Sequence, residues 1–390
     1  MSVRTTGFPQ DPSQRPERAA VTRAGLGRAL GRASQVVLLG VLLAAIVHQA
    51  AGIVAAFAVG TDLTIPLRAA ERWASGQPAY LASDFLNLPP KPLPFLYPPY
   101  VLPFLVPLLQ LPRPLVIGAW ELLCIGAALV VLDRFAIPRR WWPLALAWTP
   151  LAEAIWNGNL HVILLAAFAC AFWQRAGARP WTPQPRDLAT RDHAARTGLL
   201  ATAVGVVKVS QVQAWVLVAR RNWRAAVLGA ALLGAVVLAT VPFTGLSIYV
   251  DWLHQVQRAA NPAWHSIGWP LAEYLPEPLP LAITLASIPA VALLPRRDAA
   301  VWTGLLMIVA SPTILNYSWI FALPAMLRVR RDVALVVAFG WTTYQPGLSW
   351  AAFALLAGTL LASYRFPVFA PSGEAPAAHA SRPDLAVEAA

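Results

Sequence analysis

Apolar runs long enough to cross a lipid bilayer, separated by short arginine clusters, leave this chain few ways to fold. Inside hydrocarbon no water satisfies the backbone, so each such run must close its own hydrogen bonds as a helix or join a closed barrel. Runs approaching the roughly 18 residues of a spanning helix recur along the sequence. Of 390 residues 58% are hydrophobic and only 12% are charged, against about 45–50% and about 25% in an ordinary soluble domain. The expected fold class is therefore all-α, a polytopic integral membrane protein. The net charge of +12 does not read as a nucleic-acid footprint. Its basic residues sit between the apolar runs, where they set topology under the positive-inside rule. Membrane lipids, not nucleic acid, are the expected surroundings.

The charge rule also orders the chain. Residues 1–33 carry Arg4, Arg15, Arg18, Arg23, Arg28 and Arg32 without an apolar core and read as a cytoplasmic basic tail. Residues 34–366 form the membrane domain, and 367–390, rich in Ala, Pro and Ser, read as a disordered cytoplasmic tail. A first span over 35–59 delivers Asp62 to the outer side. The proline-studded stretch 95–111 is expected as an outer-surface helix or re-entrant segment, which keeps Arg134, Arg139 and Arg140 inside. Spans are then expected at 115–132, 141–156, 160–173, 197–209, 211–219, 225–243, 279–294, 299–314, 319–327, 333–343 and 348–363. That makes about twelve transmembrane helices with a large first outer loop bearing surface helices. Of the 30 Lys and Arg residues, only Arg68, Arg72, Lys91, Arg113 and Arg258 fall outside and Lys208 falls within the membrane.

Chemistry-bearing side chains collect on the outer face under this topology. They include Asp62, Arg68, Asn159, His161, Lys208, Arg258, His265 and Asn316. A lone acid where a membrane helix meets an outer loop marks a functional site or caps a surface helix. An intramembrane lysine such as Lys208 is costly without an anionic partner, although it also snorkels to an interface. Cys124 and Cys170 lie inside expected spans and read as small packing residues. The outer loops contain no Asp-x-Asp and no cluster with metal-ligand spacing, so neither a metal nor another cofactor is expected.

Three short motifs resemble one family. Asp62, Gly76-x-Pro78-x-Tyr80 and Phe95-x-Tyr97-Pro98-Pro99 are similar to the first outer loop of C-type glycosyltransferases. The best likeness is to glycosyltransferase family 87, the polyprenol-phosphate-mannose-dependent mannosyltransferases. Gly158-Asn159-Leu160-His161 stands where that family has Gly-Gln-x-Asn, with His161 in place of an asparagine. Asn316-Tyr317 stands where relatives show histidines, and Ser311-Pro312 resembles a later Ser-Pro motif. The resemblance implies a C-type architecture, an Asp base at position 62 and a lipid-phosphate donor.

The chemistry follows independently in part. Transfer of a sugar to a hydroxyl needs a base for its proton, and the departing phosphate needs cationic stabilisation. An inverting transfer needs only one carboxylate. With the resemblance, which implies the donor, the expectation is a hexosyl transfer, most simply of mannose, from a polyprenyl-phosphate sugar to a lipid-linked glycan or glycolipid. It would take place on the outer face of the cytoplasmic membrane. Asp62 is the expected catalytic base, Lys208, Arg68 and Arg258 the donor-phosphate ligands, and Tyr97, Asn159, His161, His265 and Asn316 the substrate contacts. Two alternatives stand beside it: an arabinofuranosyl donor with the same lipid phosphate, and a lipid or solute transporter. A transporter should place its polar residues near the bilayer midplane and show repeat symmetry.

Overall fold

A computed structural model describes residues 14–82, 94–174, 181, 211–259, 270–276, 278–295, 298–311 and 313–366. The described chain is helical without a strand. α1 (Gln14–Ala56) breaks at residues 57–60 and is followed by α2 (Thr61–Ala74). Short 3-10 turns around α3 (Leu102–Leu105) lead to α4 (Arg113–Arg134). Then come α5 (Trp142–Ala147), α6 (Thr149–Trp156) and α7 (Leu160–Phe172). The second half holds α8 (Gln213–Arg221), α9 (Trp223–Thr244), α10 (Ser247–Ala259), α11 (Leu279–Leu293) and α12 (Ala299–Val309). It ends with a 3-10 helix (Asn316–Ala322), α13 (Leu323–Met326), α14 (Arg331–Thr342) and α15 (Pro346–Ser363).

Local sequence explains several ends. α4 opens on Arg113-Pro114, where proline's missing N–H costs nothing, and closes on Arg134, which complements the negative end of the helix. The Asn222 side chain caps α9 by accepting from the Ala225 N–H at 3.1 Å. α1, α4, α9 and α15 keep large apolar side chains outward, among them Val36, Val47, Leu122, Leu238, Phe243 and Leu361. A water-facing bundle would bury this surface, whereas lipid accepts it.

Among the described residues, the helices long enough to span are fewer than the twelve expected from sequence. Four described stretches are long and apolar enough to cross a membrane: Gly31–Ala74, α4, α9 and α15. A fifth arises if α6 and α7, bent by 117° at their junction, make one broken span. Several other expected crossings are short. The 13 residues of α7 reach only about 20 Å at 1.5 Å per residue, against a hydrocarbon core of about 30 Å. The 141–156 run is cut at Pro143 and Pro150 into α5 and α6. The expected span 319–327 is a 3-10 helix, all seven of whose residues are buried, followed by the short α13. Expected span 197–209 lies outside the described residues. Proline breaks 95–111 as well, into short turns packed on α2.

These short helices build the core. Trp319 of the 3-10 helix stacks on Trp341 of α14, with ring centres 5.3 Å apart and planes at 9°. Phe168 of α7 meets Phe321 at 6.1 Å and Trp173 at 5.5 Å. Gly304 lets α12 approach the 3-10 helix: a Cβ there would stand 2.3 Å from the Phe321 carbonyl oxygen. Backbone cannot swing away as a side chain can. Gly304→Ala should therefore destabilise the protein by about 1–3 kcal/mol. Gly126→Ala in α4, where a Cβ meets nothing within 4 Å, should be neutral or stabilising. Thermal unfolding of both variants in one detergent checks the contrast, and equal midpoints would contradict this packing.

Candidate functional site

Two helix breaks meet at the candidate site. α2 follows α1 through Gly60, at φ 71°, and α7 follows α6 through Gly158, at φ 65°. Both glycines occupy the left-handed region that side chains disfavour. The backbones are stitched together: the Gly60 N–H donates to the Trp156 carbonyl at 3.0 Å, and the Asp62 N–H to the Asn157 carbonyl at 2.8 Å. Unsatisfied donors at the start of α2 thus meet unsatisfied acceptors at the end of α6. Indole N–H groups lock the outside, Trp156 donating to the Phe57 carbonyl at 2.9 Å and Trp120 to the Gly158 carbonyl at 2.7 Å.

This junction places Asp62 in the first turn of α2, buried, and near the start of α7. Helix starts carry partial positive charge, which suits a carboxylate. Asp62 does not cap its own helix: Gly60 holds the cap position, and no side chain caps it. Instead its carboxylate accepts a hydrogen bond from the Asn159 side-chain amide. Asn159 is itself the N-cap of α7, its Oδ1 accepting from the His161 N–H at 2.8 Å. The His161 Nδ1 approaches the same oxygen. With the amide oxygen as acceptor, that Nδ1 carries a proton. Asn159 therefore holds Asp62 and His161 in register, and an amide cannot relay a proton between them.

Aromatic rings close around the pair. His161 packs 5.0 Å from the Tyr317 ring and 5.9 Å from Phe321. Burial, and then the charge of Asp62, raise the Tyr97 hydroxyl above its ordinary value, so this phenol stays protonated beside the carboxylate. The Tyr97 carbonyl accepts from the Tyr80 hydroxyl at 2.6 Å. The glycine-proline-tyrosine turn and the Tyr-Pro-Pro segment are thereby tied together.

Of the residues expected from sequence, Asp62, Tyr97, Asn159 and His161 come together. Asn316, at the start of the 3-10 helix, faces Glu153, on which the Asp62 charge acts. Arg68 is exposed on α2, about 120° around the helix from Asp62. Arg258, in α10, donates to Gln255 Oε1 at 3.2 Å, and Gln255 donates to the Leu81 carbonyl at 3.0 Å. Arg72 clamps the turn by donating to the carbonyls of Pro78 and Ala79. Arg72 thus binds the protein's own turn, and Arg258 a side chain of its own helix. Lys208 and His265 lie outside the described residues. No group of three or more potential metal ligands occurs among the described residues.

Sequence reasoning missed Glu153. It is 4% exposed on α6, within a run read only as a span. An acid inside an apolar stretch was the available signal, strengthened by Thr149 and Asn157 at helical spacing on either side.

No family model, curated protein or solved structure matches the chain. The likeness to glycosyltransferase family 87 rests on the short motifs quoted above.

The junction makes a prediction of its own. A Cβ on Gly60 would stand 2.7 Å from Ile117 Cγ2, and one on Gly158 3.0 Å from Trp120 and 3.3 Å from the Gly60 Cα. Gly76 has a similar φ of 75° but open space around it. Gly76→Ala should cost about 1–2 kcal/mol for backbone strain alone. Gly60→Ala and Gly158→Ala should each cost more, by about 1–3 kcal/mol of overpacking. Unfolding midpoints of the three variants test the order.

Proposed function

We propose that the chain is a membrane glycosyltransferase and that Asp62 is its catalytic base. The observation that carries this reading is the buried carboxylate held in one orientation by Asn159 at the meeting of two helix starts. The helix starts that meet there put partial positive charge beside this carboxylate, and a carboxylate is the usual base for a hydroxyl proton. In the proposed step the acceptor hydroxyl loses its proton to Asp62 while its oxygen attacks the anomeric carbon of the sugar. The bond to the polyprenyl phosphate breaks on the opposite side, its electron pair leaves with the phosphate, and the configuration inverts. Tyr97 and His161 line the site beside the reacting hydroxyl.

Phosphate stabilisation falls to Lys208 in this reading. Arg72 is already engaged with loop carbonyls and Arg258 with Gln255, and Arg68 is exposed away from Asp62. The donor is a polyprenyl-phosphate hexose, most simply mannose, and the acceptor a glycan or glycolipid reached from the outer face of the cytoplasmic membrane. Apolar helices exposed along the bundle support a lipid-borne donor, because they give its tail a surface to lie on.

The test uses membranes containing the full chain and radiolabelled polyprenyl-phosphate-mannose. Asp62→Asn keeps the size and the hydrogen-bonding shape but removes the base, so transfer should fall at least about a hundredfold. Asn159→Ala should lower it less, since that change frees the carboxylate without removing it. Transfer by Asp62→Asn at the wild-type rate would refute the assignment of the base. No transfer by the wild type, with arabinose- and mannose-linked donors alike, would refute the activity.

A further inference from the structure

α10 begins almost where α9 ends, and the two helices share one exposed apolar surface. The 22 residues of α9 reach about 33 Å at 1.5 Å per residue, close to a hydrocarbon core of about 30 Å. Gly245, at φ 74°, then turns the chain, and α10 starts at Ser247. A helix that follows a spanning segment after two residues begins at the level of the bilayer surface. There α10 presents three different sides.

With about 100° between successive residues, Val250 and Leu253 fall on one edge of α10. Each is 51% exposed, and the edge runs on through Leu246 to Phe243 at the end of α9, at 71% and 72%. Asp251, His254 and Arg258 lie about 100° further round and make a polar edge, on which Asp251 and His254 are exposed. Opposite the apolar edge, Ile248 packs among Tyr80, Phe95 and Leu102. On that side the Trp252 indole donates to the Leu96 carbonyl and the Gln255 amide to the Leu81 carbonyl, each at 3.0 Å. Single apolar residues are ordinary on a water-facing surface. A line of four that continues a spanning helix, with the charges kept to a separate edge, is the pattern of a helix lying in the membrane surface.

We infer that α10 lies in the membrane plane, with Leu246, Val250 and Leu253 set among the acyl chains of the leaflet that the end of α9 reaches. The occupant of this edge is lipid rather than protein, because the same apolar surface continues onto α9, where Leu238 and Phe243 are exposed on a span-length helix. Asp251 and His254 then face headgroups and water. The opposite side of α10 holds the carbonyls of Leu81 and Leu96, the second of them next to Tyr97. α10 therefore anchors that part of the candidate site to the leaflet. The placement holds with or without a transfer activity.

The experiment takes the full-length protein in phosphatidylcholine nanodiscs, with Cys124→Ala and Cys170→Ala as background. One nitroxide label is attached in turn through Val250→Cys, Leu253→Cys or Asp251→Cys. Its collisions with oxygen, which concentrates in lipid, are compared with its collisions with a water-soluble nickel chelate. At 250 and 253 the ratio of oxygen to chelate collisions should be several-fold higher than at 251. A ratio at 250 and 253 equal to that at 251 would overturn the placement. Low collision with both reagents would mean that protein covers the edge and would overturn it as well. So would spectral broadening between labels at 253 that disappears when labelled chain is diluted with unlabelled chain, because a second copy would then occupy the edge. The three labelled positions are exposed, and an unfolding midpoint for each labelled chain confirms that it is folded. If the alanine background fails to fold, both native cysteines stay, and the signal of the chain without the added cysteine is subtracted.

Discussion

The candidate site depends on the meeting of two helix breaks. The α1–α2 break and the α6–α7 break lie against each other with only glycines between, since a Cβ on Gly158 would come within 3.3 Å of the Gly60 Cα. Hydrogen bonds from Gly60 and Asp62 to the carbonyls of Trp156 and Asn157 fix the register. A helix that stops inside an apolar bundle leaves polar backbone groups exposed, and here each break satisfies part of the other. The same junction orients both helix starts toward one carboxylate. Structure and electrostatics at Asp62 thus have one cause, and disturbing the packing of the glycines disturbs both.

The segments 76–82 and 94–105 are organised around this junction by ordinary side-chain chemistry. Arg72 holds the Pro78–Ala79 turn, Tyr80 holds the Tyr97 carbonyl, and Trp252 of α10 donates to the Leu96 carbonyl at 3.0 Å. Both segments are therefore packed. Phe95 stacks on Tyr80 at 5.2 Å, which accounts for the aromatic residues at these positions without invoking sugar stacking. Arg72 holds backbone, and Arg258, expected as a phosphate ligand, is engaged by the Gln255 side chain. Asn159, expected as a substrate contact, caps α7 and connects a carboxylate to a histidine.

Much of the site was legible because intramembrane polarity is rare enough to stand out. Asp62, Asn159, His161 and Asn316 each interrupt an apolar run, and glycine beside asparagine at 157–159 announced a break. Glu153 carried the same signal and went unread, because the run around it was taken as one straight span. Prolines at 143 and 150 cut that run, and only the cut turns Thr149, Glu153 and Asn157 toward the 3-10 helix. Fewer of the described helices reach spanning length than hydropathy suggested, for a related reason. Hydropathy measures whether a segment tolerates lipid, and a segment buried in protein, such as 316–327, is equally apolar.

By itself, then, the sequence determined a helical chain with apolar segments suited to lipid, its breaks at glycine and proline, and the unusual acid after the first helix. Backbone satisfaction and hydrophobicity are local or nearly so, and a single chain displays them openly. Tertiary structure alone decided which breaks meet, which arginines are consumed by loop carbonyls, and that Asn159 reaches Asp62 across 97 positions. It also decided that Glu153 and Asn316 face each other. Those facts depend on how helices cross and on a few ångströms of approach that glycines permit, and no local pattern encodes an approach between segments so far apart along the chain.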